Sequence, residues 1–440
     1  MGKGKKTVRH FSFTGGIHPR EGRGGKTAAR EVPIRAIDPP HTVAVSLLQH
    51  VGAPCKSLVR PGDTVRLGQK IGEPTGKVGA PVHASVSGKV KGIKPRILPS
   101  GASVDCVIID NDGKNTPWEG AAIFEDPLSA EKPALLRAIR EAGLVGLGGA
   151  AFPLEIKLTL PEGKTADTLI LNGAECEPYL CGDDRMMLEH AQDIWDGAQI
   201  AAYLLGAKEI LLGVEDNKPR AIRSMRACAA GKVCVLKTKY PQGGEKQLIR
   251  ALTGRQVPQG GLPVDAGCVV MNVSTAAALS AALRRGKPVT HRVITVAGWV
   301  QNPCNLLVPV GTDIDSVIAG AGGALPEAGR VILGGPMMGM PAYNGNTPTV
   351  KGLGGVVLLP PEKENLQGLG NCIRCGSCLR ACPMHLAPME LYALARKGRY
   401  RQAVEREGAL NCIECGSCAY ECPAKLPLAQ MIRVAKRAGR

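Results

Sequence analysis

Apolar and polar residues alternate in short runs across residues 31–115, most clearly in GDTVRLGQKIGEPTGKVGAPVHASVSGKVKGI. That period predicts small strands joined by turns at Gly62, Asp63, Gly68 and Gly88. At EKPALLRAIREAG, residues 131–143, the spacing becomes helical. HRVITVAGWVQNPCNLLVPVGTDIDSVIAGAGG, residues 291–323, reads strand, turn, strand, helix. Helical spacing returns at 388–410, with Leu391, Leu394 and Ala395 on one side, and again at 426–439. No apolar run approaches the roughly eighteen residues of a membrane span, so membrane association is expected to be peripheral. The chain reads as a multidomain α/β protein.

Composition fits that reading. Of 440 residues, 56 are Gly and 33 Pro, and aromatics are 3%. Many turns and small β-rich modules follow, rather than a helical bundle. The net charge is +17, concentrated at the ends. Residues 1–30 carry eight Lys/Arg against one acid, and residues 372–440 carry twelve against five. Basic ends suit an acidic partner or an anionic membrane face; for the N-terminal arm, plain solvation is an equal reading. No basic patch interleaved with aromatics points to nucleic acid. The start, MGKGKKTVRHF, lacks the apolar stretch of a signal peptide. The sixteen cysteines are therefore read as thiolates in a reducing compartment.

Half of those cysteines form two runs of the pattern C-x2-C-x2-C-x3-C-P. The first is Cys372, Cys375, Cys378 and Cys382; the second is Cys412, Cys415, Cys418 and Cys422. Three closely spaced thiolates wrap one iron–sulfur cubane, with Gly376 and Gly416 freeing the turns. In two-cluster ferredoxins the fourth cysteine serves the other cluster. The expected ligand sets are Cys372, Cys375, Cys378 and Cys422 for one [4Fe–4S] cluster, and Cys412, Cys415, Cys418 and Cys382 for the other. A zinc site would need one tetrahedral set of four, usually as two separated CxxC pairs, and fits less well. The helical flanks suggest a helical ferredoxin-type domain.

Upstream, AIREAGLVGLGGAAFPLEIKL nearly spells a dinucleotide fingerprint at Gly146, Gly148 and Ala151. A helical pattern precedes it where the fingerprint needs a strand, so a Rossmann unit is not expected and a mobile turn is the plain alternative. Three later stretches change this: NGAECEPYLCGDDR at 172–185, YPQGGEKQL at 240–248 and VVMNVSTAAAL at 269–279. Together, in this order, they resemble the flavin- and NADH-binding subunit of respiratory complex I, with its GxGGAGFPxxxKW, NADExEPG…DR, YxxGEExxL and NNVET motifs. The resemblance implies non-covalent FMN in the loop and NAD(H) lying across it. The matching positions are Gly146, Gly148, Gly149 and Lys157; Asn172, Glu175 and Glu177; Tyr240, Gly243 and Glu245; Asn272 and Thr275; and Phe152, expected to stack on NADH. Ala174, Gly244, Met271 and Leu158 depart from the family's Asp, Glu, Asn and Trp. Residues 291–350 resemble the β-grasp (SLBB-type) module that follows the flavin domain in the same family.

Residues 31–115 resemble the barrel-sandwich hybrids of biotinyl and lipoyl carriers. Lys77 falls at the carrier position, but Gly76 and Val78 replace the methionines that flank a biotinylated lysine, so the module reads as structural. His83 reads as a packed strand residue, and His18 of FTGGIHPREGRGGKT as a turn residue with no visible metal partner. The other eight cysteines, at 55, 106, 176, 181, 228, 234, 268 and 304, read as small apolar residues; Cys176 and Cys181 flank the NADH motif.

The expected plan is a basic arm over 1–30, a barrel-sandwich hybrid over 31–115, an FMN/NADH domain over 116–290, a β-grasp module over 291–350 and a two-cluster ferredoxin domain over 360–440. This order resembles the C-subunit family of Rnf electron-transport complexes. It implies the NAD(H) end of a membrane complex that couples electron flow between ferredoxin and NAD to Na⁺ or H⁺ transport. Its seat would be peripheral, at the cytoplasmic face of the bacterial inner membrane. The basic C-terminal domain would face an acidic, ferredoxin-like redox partner. Hydride chemistry belongs to the flavin, so no catalytic side chain is expected. Two alternatives remain: an NADH-linked subunit of a soluble hydrogenase or dehydrogenase, and an iron–sulfur relay scaffold without flavin.

Overall fold

A computed structural model describes residues 10–361 and 370–439. Four units follow the chain. The first stacks two antiparallel sheets. One runs Thr42–Ser46, Ser103–Asn111, Gly88–Ile97, Thr64–Val65; the other runs Cys55–Ser57, Lys70–Pro74, Val82–His83. Alternation puts Val43, Val45, Ile71, Val82, Val90, Val107 and Ile109 between them as one core. His83 is buried in that packing, which pushes its imidazole pKa down to about 3.

The second unit is a four-stranded parallel sheet in the order Val233–Leu236, Glu209–Glu215, Thr168–Gly173, Cys268–Asn272. TLILN and CVVMN are near-continuous apolar runs, as strands covered on both faces must be. Helices Ala191–Leu205 and Val273–Arg285 pack closely, and a Cβ on Gly197 would lie 1.9 Å from the Ala276 carbonyl. Helix Lys132–Glu141 forms where the apolar spacing predicts it, and the glycine loop follows this helix rather than a strand. Two departures from the complex I pattern, Met271 and Leu158, are buried and serve the core.

The third unit is a six-stranded sheet whose order is Arg35–Ala36, Cys304–Pro309, His291–Gly298, Gly355–Leu359, Arg330–Leu333, Met340–Pro341, with helix Ile314–Gly320 against it. It starts at the expected residue 291 but takes in more chain than the expected 291–350 module. Gly355–Leu359 lies inside the sheet, five residues and more past that edge, and Arg35–Ala36 joins it from the front of the chain. The glycines of KGLGG mask the start of that strand in the sequence.

The fourth unit is helical among the described residues: Ser377–Ala381, Pro388–Arg396, Tyr400–Glu405, Ser417–Tyr420 and Leu428–Ala438. The single helical stretch read over 388–410 is broken at Gly398, which takes φ +67°. No helix among the described residues is long and apolar enough to cross a membrane.

The N-terminal arm is a correction to the sequence reading. Residues 1–9 lie outside the described residues. From residue 10 the chain is a strap across three units, not a free basic tail. Phe11 bridges to Leu236 at the edge of the parallel sheet, Ile17 exchanges two hydrogen bonds with Tyr240, and the Gly16 N–H reaches the Ala381 carbonyl at 3.1 Å. Lys26 is buried with its ammonium on the Glu175 carbonyl, and Arg30 pairs with the buried Asp184. Two of the arm's cations thus point inward. His18 is exposed.

Candidate flavin and iron–sulfur sites

The glycine loop closes on itself through Gly146 N–H to the Phe152 carbonyl at 2.8 Å and Ala151 N–H to the Gly146 carbonyl at 3.2 Å. Gly149 takes φ +109°, open to glycine alone at little cost, and meets nothing within 4 Å. Gly148 lies against Asn272, where a Cβ would come 3.2 Å from the Asn272 Cβ. Side chains at these positions would fill the rim, so the loop offers bare backbone, as an approaching phosphate or flavin requires. Thr275 holds the loop from behind: its Oγ1 accepts the Leu147 N–H at 2.8 Å.

The four motifs converge at the carboxyl ends of Thr168–Gly173 and Cys268–Asn272, where an open parallel sheet presents its ligand crevice. Most of their polar side chains are occupied with one another. Asn172 donates to the Gly243 carbonyl at 2.9 Å and accepts the Ala174 N–H at 3.2 Å. Asn272 caps helix Val273–Arg285, and its Nδ2 donates to Asp183 at 2.6 Å. Glu175 accepts the Asp183 and Asp184 N–H groups at the start of helix Gly182–Glu189. Glu177 accepts the Met337 and Met338 N–H groups at 3.1 and 2.9 Å, from a loop of the β-grasp sheet. Burial raises both carboxyls to about 7, with Asp183 adding repulsion at Glu175.

The groups still facing outward are few. Lys157 pairs with Glu245 at 3.0 Å, the side chains 30% and 41% exposed, and Phe152 is half-buried at the loop's far end. Tyr240 points elsewhere: fully buried, its hydroxyl donates to the Cys415 carbonyl at 2.8 Å. Cys176 accepts the Gly243 N–H at 3.3 Å, and Cys181 lies against Asn305; burial pushes both thiols up to about 12, so they are neutral. Sequence reasoning missed Lys218, which is buried with Glu215 and donates to the Ala174 carbonyl at 2.6 Å. Only its i,i+3 spacing from Glu215 hints at it.

The eight motif cysteines divide between two cavities. Cys382, Cys412, Cys415 and Cys418 line one; Cys372, Cys375, Cys378 and Cys422 line the other. The fourth cysteine of each run thus joins the three of the other. Four thiols around a shared hollow fit a polynuclear cluster better than one zinc. Gly376 and Gly416 both take the left-handed conformation inside the loops. The rings differ in setting. Cys372 and Cys375 are exposed and Ile373 is 67% exposed, whereas Cys415 is buried against Tyr240 and Ile17.

Four family descriptions match in chain order: the RnfC barrel sandwich hybrid domain over residues 11–114, the Nuo51 FMN-binding domain over 139–281, the SLBB domain over 293–341 and the 4Fe-4S dicluster domain over 366–423. The FMN and two [4Fe–4S] clusters expected from the sequence agree with these families. The chain is 42% identical over 435 residues to the C subunit of the Na(+)-translocating ferredoxin:NAD(+) oxidoreductase complex of Acetobacterium woodii, covering 98% of this chain and 97% of that one. It is 43% identical to the C subunit of the proton-translocating complex of Clostridium ljungdahlii, covering 98% and 94%. Among solved structures, an NAD+-reducing [NiFe]-hydrogenase in the air-oxidized state superposes with a TM-score of 0.51 at 21% identity. The match spans 71% of this chain and 64% of the hydrogenase chain, and it shows shared fold only. On the full-length similarity, the chain belongs to the C-subunit family of ion-translocating ferredoxin:NAD(+) oxidoreductase complexes.

Proposed function

We propose that this chain is the NAD(H)-reactive electron-transfer subunit of a membrane-bound, ion-translocating ferredoxin:NAD oxidoreductase. The other subunits of that complex are its partners. One contact carries the reading. Tyr240 opens the third flavin-type motif, and its hydroxyl donates to the backbone of Cys415 in a cysteine ring. The two cofactor regions are therefore in direct contact. The soluble hydrogenase alternative finds only a distant fold likeness, whereas the relatives named above span the chain.

Bound flavin supplies the exchange between a hydride and single electrons. The chain's own residues do the holding. The amides of Gly148 and Gly149 and the ammonium of Lys157 suit the anionic end of FMN. Glu245 suits ribose hydroxyls or the nicotinamide carboxamide, and Phe152 offers a stacking face. The two cysteine rings would hold [4Fe–4S] clusters, with the Cys415 ring nearer the flavin domain. We assign the chain a peripheral seat at the cytoplasmic face of the membrane, its exposed cluster loop turned to an acidic redox partner.

The test is anaerobic reconstitution with iron, sulfide and FMN, then NADH. Flavin and cluster absorbance should both bleach, and Lys157→Ala should slow this by about tenfold or more, the loss of one charge-assisted contact. Clusters that form but stay oxidised, with no FMN retained, would sink the reading and leave an iron–sulfur relay.

A further inference from the structure

Two buried cations of the β-grasp sheet reach the backbone of the glycine loop and its stem. Arg292, on strand His291–Gly298, donates to the Leu147 carbonyl. Lys351, just before strand Gly355–Leu359, donates to the Gly143 carbonyl at 2.7 Å and the Pro81 carbonyl at 3.2 Å. Neither cation has a carboxylate within hydrogen-bond reach among the described residues, and burial lowers the pKa of both. Arg292 also keeps an unpartnered Nε. Both polar groups of Leu147 are thus taken, its N–H by Thr275 and its carbonyl by Arg292, from two different units. The next three residues, Gly148, Gly149 and Ala150, are exposed, and among the described residues their N–H groups have no acceptor. Gly352 closes the packing, with the Gly149 carbonyl 3.2 Å from where its Cβ would stand.

We propose that Arg292 is a positioning residue for the flavin. It pins the Leu147 carbonyl toward the β-grasp sheet, and so keeps the following amides free to bind the anionic end of FMN. The β-grasp module then acts as the back wall of the flavin site, not as a neutral spacer. The guanidinium also places a positive charge behind a loop that must accept an anion, offset in part by the nearby Asp183 and Glu175. A neutral residue of similar length would pack there without this function. Lys351 fixes the stem of the same loop.

The inference rests on the flavin reading above, and its test separates the two. FMN binding to the cluster-loaded chain would be followed by quenching of flavin fluorescence, for wild type, Arg292→Met and Arg292→Lys. Thermal unfolding and the visible cluster spectrum report the fold. Arg292→Met should bind FMN about tenfold or more weakly, consistent with losing a hydrogen bond from a charged donor. Arg292→Lys keeps the charge and one donor and should fall between. Unchanged FMN affinity in folded Arg292→Met overturns the proposal, and if that variant does not fold, unchanged affinity in Arg292→Lys does so. Should wild type bind no FMN, the function proposed above fails, and amide hydrogen exchange decides this inference alone. Exchange at Gly148–Ala150 and Leu147 should speed up in the variants; equal exchange overturns it.

Discussion

At the scale of single residues, motif matches name positions that the fold brings together, but they do not give side-chain roles. Asn172, Glu175, Glu177 and Asn272 could be named from the sequence, yet their polar atoms are spent on neighbouring backbone and, for the Asn272 Nδ2, on the Asp183 carboxylate. A sequence carries no sign of whether a carboxylate faces a ligand or caps a helix. Tyr240 makes the point most sharply, since it sits in a flavin-type motif but serves the cluster side. Its hydroxyl donates to the backbone carbonyl of Cys415, a candidate cluster ligand, and a donor dipole there would stabilise a reduced, more negative cluster. Tyr240→Phe should therefore lower the midpoint potential of one cluster and leave the other unmoved. One net hydrogen bond is worth about 1 kcal/mol, so the shift should be on the order of tens of millivolts. An EPR-monitored redox titration reads it, and equal potentials in both proteins would show that the contact does not tune the cluster.

Glu177 gives a second prediction at this scale. Its folded pKa, about 7, lies above the ordinary 4.5 of a glutamate because burial disfavours the charge. A raised carboxyl stabilises the fold fully below its unfolded pKa, and that contribution is lost as pH climbs through the folded value. Glu175 shifts the same way. The melting temperature should therefore decline from pH 5 to pH 8, and Glu177→Gln should flatten part of that decline. An identical pH profile in the variant would mean that the carboxylate is well solvated or fully compensated by the Met337 and Met338 amides.

At the scale of elements, periodicity was reliable where one face of a strand or helix is buried. The alternation over 31–115 is the barrel-sandwich core, and helix Lys132–Glu141 lies inside its expected span. What periodicity could not reveal is long-range pairing. Arg35–Ala36 and Gly355–Leu359 are short segments that become strands only by joining a sheet built some distance away in sequence. The cysteine runs are the converse case, because the 2-2-3 spacing is itself geometric information. It led to crossed ligand sets, and the cysteines line the two cavities in that grouping. Cys382→Ser should therefore cost the cluster built on the second run, and Cys422→Ser the cluster built on the first. Each variant should retain about half the iron, as each set serves one of two equal clusters. Removing Tyr240's hydroxyl in the Cys422→Ser background should still shift the one remaining signal. If Cys382→Ser instead removes the first-run cluster, the ligand sets are uncrossed.

At the scale of the whole molecule, the two cluster loops are near copies that face different surroundings. They read NCIRCGSC and NCIECGSC, and the one internal difference is Arg374 against Glu414. Glu414 is held inside the protein by Arg433 at 2.7 Å and Lys436 at 2.6 Å, which also anchor the C-terminal helix Leu428–Ala438. Arg374 is exposed beside Ile373, and Arg380 donates to the Cys375 carbonyl from the same outer lip. The inner ring thus turns to the flavin domain and the outer ring presents an apolar tip with two cations. Charge there affects encounter more than fold, since exposed cations steer partners over about a Debye length. Reversing both, Arg374→Glu with Arg380→Glu, should leave NADH-driven cluster bleaching intact. The same change should slow electron delivery to a small acidic iron–sulfur protein by about tenfold at low salt, with the gap closing as salt rises. Arg401→Glu, at an exposed site on helix Tyr400–Glu405, serves as the control for general basicity. If that control slows delivery as much as the double reversal, the net charge of the domain governs the encounter and the outer lip has no special part in it.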